Sequence, residues 1–172
     1  MKKTPRLISA LALVLLAHGT AFAATTKMKM TYHATLRGTD EVPSHATTAR
    51  GNATLMVSKD MTEIRYKLTV TNMKNVTAAH IHLGAPGENG PPVAMLFGPT
   101  AAGSGKKSGL LSSGTIKASD LTGPLAGKTI QDLVNEMHAG HTYVNVHTDD
   151  GAGAANTGPG DFPDGEIRGL VR

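Results

Sequence analysis

The chain is 172 residues long, with 40% hydrophobic residues, 3% aromatic residues and no cysteine or tryptophan, which fits a single domain and excludes disulfides and thiolate metal centres. Its formal charge of +4 owes three positive charges to Lys2, Lys3 and Arg6, so the remainder is close to neutral. It contains no basic run interleaved with aromatics, which excludes the usual signature of nucleic-acid binding.

Those three basic residues precede an apolar stretch from Leu7 to Ala17 and a small-residue Ala21-Phe22-Ala23 signal. This order predicts a secretory signal peptide over residues 1–23, with the folded domain occupying 24–172 and residing in the periplasm or outside the cell. The apolar stretch is short for a bilayer span, and no later segment is apolar enough to be a transmembrane helix.

The dominant period after that is two. Met28, Met30, Tyr32, Ala34 and Leu36 alternate with Lys29, Thr31, His33 and Thr35, predicting a half-buried strand. Ala53, Leu55 and Val57 predict a second, joined through Ser58-Lys59-Asp60 to a third on Ile64, Tyr66, Leu68 and Val70. Strands are further expected over 76–83, 93–97, 111–118, 142–148 and 166–171, about eight short antiparallel strands that read as a β-sandwich or closed barrel.

One segment has helical spacing: Ile130, Leu133, Val134 and Met137 form an apolar stripe, Thr129 and Asp132 can make a capping box, and Gly140 supplies the stop. Its stripe is expected to cover one end of the sandwich. Two long loops, 84–92 and 149–165, flank histidine-bearing strands, and the second exceeds what a compact domain usually carries without a purpose.

Chemistry concentrates in His80-Ile81-His82 and in Tyr143-Val144-Asn145-Val146-His147. Residues two apart on a strand share a face at about 6.6 to 6.8 Å spacing, so His80 and His82 point the same way. If Ile81, Val144 and Val146 enter the core, His147 points outward with them. Three neutral imidazoles meeting there would suit copper or zinc, and His141 is close enough in sequence to add a fourth ligand or an outer contact. On the residues alone a second reading stays open, in which these histidines simply bond loop carbonyls and His147 orients Asp149. His33, His45 and His138 are expected to face solvent.

Glu41-Val42-Pro43, Ala79-His80-Ile81-His82-Leu83-Gly84, Ala139-Gly140 before Tyr143 to Thr148, and the closing Gly165-Glu166-Ile167-Arg168-Gly169 together resemble the CHRD domain, named for chordin, across nearly all of residues 28–172. The resemblance implies an immunoglobulin-like Greek-key β-sandwich or barrel with one short helix and no settled activity. Chordin's growth-factor binding is not carried over, because its cysteine-rich modules are absent from this sequence. More distantly, the His-x-His strand and His147-Thr148-Asp149-Asp150 are similar to copper,zinc superoxide dismutase. That likeness implies copper-ligand roles for His80, His82 and His147, and a guiding role for Arg168. The bridging histidine, the zinc ligands and the disulfide of that enzyme have no counterparts, so a mononuclear site is the most it supports.

Lesser candidates have plainer readings. Met28 and Met30 lie on the apolar face of their strand and suit core packing better than thioether ligation. Asp149, Asp150, Asn156, Asp161 and Asp164 crowd one loop without the spacing of a standard calcium loop. Glu166 and Arg168, two apart, are expected to share a face and pair with neighbouring charges. The expected function is a CHRD-type binding domain holding a copper or zinc ion through His80, His82 and His147, rather than an enzyme. Its alternatives are a metal-free envelope module that binds protein or polysaccharide, and a diminished superoxide-dismutase-like enzyme.

Overall fold

The computed structural model describes residues 29–172, so the expected signal segment and Met28 lie outside the described residues. Eight antiparallel strands form one sheet: β1 (Thr31–Arg37), β2 (Arg50–Val57), β3 (Glu63–Lys74), β4 (Val76–Leu83), β5 (Pro92–Phe97), β6 (Lys106–Lys117), β7 (Thr142–Thr148) and β8 (Ile167–Leu170). Their order is β5-β4-β7-β8-β1-β2-β3-β6. Because β3 and β4 lie far apart in that order, the chain crosses between the two halves, and the sheet curls into a nearly closed barrel. The seam between β5 and β6 carries no ladder. Side chains bridge it instead: Tyr66 Oη and Ser112 Oγ both donate to the Leu96 carbonyl, at 2.8 and 2.6 Å.

Alternation decides what enters the barrel. Tyr32, Ala34 and Leu36 of β1, Leu55 of β2, Ile64 and Leu68 of β3, Ile81 of β4, Val144 and Val146 of β7 and Ile167 of β8 are all buried in one core. A core this poor in aromatics is filled by β-branched and small side chains that suit pleated strands. Met30 packs partly buried against it.

Among the described residues there is one α-helix, α1 (Ile130–Ala139), which forms as its spacing predicts. Thr129 accepts from the Asp132 amide while the Asp132 carboxylate reaches back to Thr129, and Gly140 closes the helix at φ 76°. Its buried stripe is Ile130, Leu133, Val134 and Met137. Among the described residues no helix is long and apolar enough to cross a membrane.

The contact between β1 and β8 positions the rest. Arg37 stands opposite Arg168, and His33 and Arg172 exchange both backbone hydrogen bonds at 2.8 and 2.9 Å. Between these pairs Gly169 lies so close that a Cβ there would be 2.2 Å from the Thr35 carbonyl oxygen. Gly169→Ala should therefore separate β1 from β8 and cost about 1–3 kcal/mol or more, read as a lowered urea midpoint. A midpoint unchanged from the parent would show that the close approach is not needed.

Candidate functional site

β4 and β7 pair so that His80 faces Asn145, His82 faces Tyr143 and His147 faces Ala78. With Ile81, Val144 and Val146 in the core, all three histidines project from the outer side of the barrel, as their parity predicts. His147 sits diagonal to His80, opposite the small Ala78. The β4–β5 ladder slips between Ala79 and His80 and again between Ile81 and His82, irregularity of a kind that re-aims side chains near functional sites.

The three rings converge. His80 lies 5.0 Å from His147 and 5.5 Å from His82, and His82 lies 5.7 Å from His147, between centroids. One ring nitrogen from each falls within 4.8 Å of the others. His80 Nδ1 and His147 Nε2 are 3.1 Å apart, close to the roughly 3.3 Å that two ligands at about 2.05 Å from one ion take at a tetrahedral angle.

Two loop carbonyls set the tautomers. His82 Nδ1 bonds the Gly90 carbonyl at 2.8 Å and His147 Nδ1 bonds the Pro163 carbonyl at 2.8 Å. A carbonyl only accepts, so each Nδ1 carries the proton and each Nε2 presents a lone pair, the arrangement by which outer hydrogen bonds orient metal-ligating histidines. His147 Nε2 therefore accepts from His80 Nδ1–H. His82 Nε2 is buried with no partner.

The site is roofed rather than open. His82 is only 8% exposed. The loop of residues 84–92 lies so tightly on β4 that a Cβ at Gly90 would be 1.7 Å from the Leu83 carbonyl oxygen. Tyr143 joins roof to strand: its ring stacks on His82 at 4.9 Å and its hydroxyl accepts from the Gly90 amide at 3.1 Å. Burial pushes all three imidazoles below their ordinary pKa, His80 to about 4, where His147 and His82 add to the effect. They are neutral, and hence ligand-competent, at pH 7.

His141 is not gathered with them. It is exposed at the end of α1, its Nδ1 3.2 Å from Glu136. His147 bonds Pro163 and not Asp149, whose carboxylate accepts from the Gly151 amide. His33 and His138 are exposed. His45 departs from expectation: it stacks on Phe162 at 3.7 Å and bonds the Glu166 carbonyl at 2.9 Å. Asp149, Asp150 and Asp161 do come within 4.8 Å of one another, but Asp161 is taken up capping Thr157.

Glu166 and Arg168 are both buried, and among the described residues neither forms the expected pair with a neighbouring charge. Glu166 accepts from Thr47, Thr148 and the Gly160 amide. Arg168 donates to the carbonyls of Asp40 and Glu88 and to Asn89, and its guanidinium lies 4.4 Å over Tyr143. Tyr143, on the strand between, thus separates it from His82, so Arg168 does not face the histidines as the superoxide dismutase likeness implies.

A buried acid completes this face. Glu41 accepts from Asn145 at 3.3 Å, while Glu41 Oε1 and Asn145 Oδ1 are buried without partners. Burial pushes the Glu41 carboxyl up to about 8 despite the pull of Arg168. A carboxyl pKa raised by folding gives stability that is lost as pH climbs through the folded value. Stability should accordingly fall by about 1 kcal/mol between pH 7 and 9, and Glu41→Gln, which has no proton to lose, should remove that fall and be at least as stable as the parent at pH 7, both read from urea midpoints. An equal fall in parent and variant would mean Glu41 is already ionised at pH 7.

The sequence model of the CHRD domain matches residues 32–171. No curated protein matches the chain. Apart from Thr31 the family match covers all eight strands, and it includes both histidine segments; the chain belongs to the CHRD domain family.

Proposed function

We propose that this CHRD domain is a binding module that holds one copper ion, with zinc as the weaker competitor, through His80 Nδ1, His82 Nε2 and His147 Nε2. The observation that carries this reading is the pair of Nδ1–carbonyl bonds to Gly90 and Pro163, which leaves a buried, unpartnered His82 Nε2 beside the close His80–His147 contact. An all-imidazole donor set suits both metals, and copper leads on intrinsic affinity. The protein's part would be to fix the tautomers of His82 and His147. His80 would shift its proton from Nδ1 to Nε2, freeing the nitrogen that otherwise donates to His147. A bound copper ion can supply redox chemistry, but the buried His82 and the roofing loop favour retention or delivery of the ion over turnover of a substrate.

Two further readings are weaker. A metal-free role would leave His82 Nε2 buried without a bond, at a cost of about 1–3 kcal/mol. An enzyme of the superoxide dismutase kind would want its arginine at the metal, whereas Arg168 is tied down beyond Tyr143.

Titration of the apo protein with Cu(II) and Zn(II), followed by calorimetry and by the electron paramagnetic resonance of the copper form, tests this. One equivalent of copper should bind more tightly than zinc, with nitrogen hyperfine structure, and His80→Ala/His82→Ala should abolish that signal, whereas His141→Ala should keep it. Since burial holds the three imidazoles below their ordinary range, copper affinity should stay level as pH falls from 8 to about 6, and drop only in more acid solution. Equal, weak binding by the parent and the double variant would overturn the proposal.

A further inference from the structure

A second feature of the outer face has no part in the histidine cluster. Along β1 the outward residues are His33, Thr35 and Arg37, and beside them along the β8 edge run Arg172, Leu170 and Arg168. The register sets Arg37 directly against Arg168 and His33 against Arg172. Like charges directly opposed across a strand pair are destabilising, and Arg168 is 3% exposed, where an uncompensated charge costs most. Among the described residues the ion pairs are Arg65–Glu63 and His141–Glu136, so none of these three arginines has a carboxylate partner. Asp40 also borders the groove, but it meets Arg168 through its backbone carbonyl.

These side chains line a cavity of about 560 Å³, within the size range of small-ligand sites. Arg168 is held rigidly by Asp40, Glu88 and Asn89 through Nε and Nη1, which leaves Nη2 without a bond in the chain. Arg37 and Arg172 are exposed and free to close on a ligand. Arg37 lies four positions from His33 on β1, and Arg172 stands against His33, so the arginines at the two ends of the groove stand about 13 Å apart along the strand. A fixed guanidinium with mobile ones around it is suited to planar, bidentate recognition of oxyanions.

We propose that the groove between β1 and β8 binds a multivalent oxyanion, gripped at one end by Arg37 and Arg168 and at the other by Arg172 and His33. The groups recognised are phosphates or carboxylates repeated along a short chain, as in a polyphosphate or a uronic acid oligosaccharide. The site shares no side chain with the histidine cluster, and the proposal stands whether or not the histidines hold a metal.

Calorimetric titration of the full chain with inorganic phosphate, tripolyphosphate and tetragalacturonate, at low and high sodium chloride, tests the proposal. At least one multivalent probe should saturate near one equivalent, bind about tenfold or more tightly than inorganic phosphate, and weaken as salt is raised. Which of the two binds distinguishes a phosphate chain from a carboxylate chain. Arg37→Gln and Arg172→Gln, both at exposed positions, should each reduce affinity about tenfold, and Lys59→Gln on the remote β2–β3 turn should not. Unchanged thermal melting would show that both arginine variants are folded. Absence of saturable binding of either multivalent probe by the parent, or undiminished affinity in the Arg37→Gln/Arg172→Gln double variant, would overturn it.

Discussion

In a barrel with one hydrophobic interior, side chains that alternate outward are ordinarily left to water. On β4, β7 and β8 they are not. The loops of residues 84–92 and 149–165 fold back over that face, and their backbone carbonyls at Gly90 and Pro163 take the Nδ1 protons of His82 and His147. The arrangement serves both partners, because a loop laid over a strand must satisfy its own backbone polar groups, and an imidazole removed from water must find a bond. Tyr143 works in the same sense from β7, stacking on His82 while its hydroxyl meets the Gly90 amide.

Desolvation on this roofed face sorts the ionisable groups by what they can afford. The imidazoles stay neutral and the Glu41 carboxyl is held protonated at neutral pH, since each can shed its charge. Arg168 cannot, as a guanidinium keeps its proton at any ordinary pH. It is instead bonded by two carbonyls and an amide and laid over an aromatic ring, which spreads its charge without neutralising it. Glu166, equally buried, receives three hydrogen bonds and needs no cation. The outer face thus holds a permanent positive charge and a set of lone pairs a single tyrosine ring apart.

The strands, the helix and the shared face of His80, His82 and His147 were legible because each follows from a period that backbone geometry imposes: two in a strand, 3.6 in a helix. The stripe of α1 with its Thr129–Asp132 cap left little choice. Parity could not show that the face would be covered, because covering depends on where residues 84–92 and 149–165 come to lie, and irregular loops carry no period. For the same reason Gly90 and Pro163 are invisible as partners, and nothing local marks His45 as packed: its neighbours Phe162 and Glu166 are more than a hundred positions away. His141 looked eligible by its nearness to β7, yet it belongs to the end of the helix and meets Glu136 five positions before it. Glu166 and Arg168 do alternate with Ile167, but in place of the ion pairs expected with neighbouring charges each is buried in a hydrogen-bond network of its own. The cationic row was hidden as well, since opposing Arg37 to Arg168 requires knowing that the first strand lies beside the last.

His82, Tyr143 and Arg168 stack in that order across three neighbouring strands, with separations of 4.9 and 4.4 Å. The positive charge of Arg168 already helps to keep His82 unprotonated. Any cation at His82, a proton or a metal ion, meets the same repulsion through the same ring. An anion that neutralised Arg168 on the far side would relieve it, and linkage requires the relief to be mutual: whatever favour the anion does the cation, the cation returns in equal free energy. Tyr143 therefore does more than fill space between the strands, because its thickness sets the distance over which the two charges act. A smaller residue there would draw water between them and weaken any such coupling, even with the histidines and arginines intact.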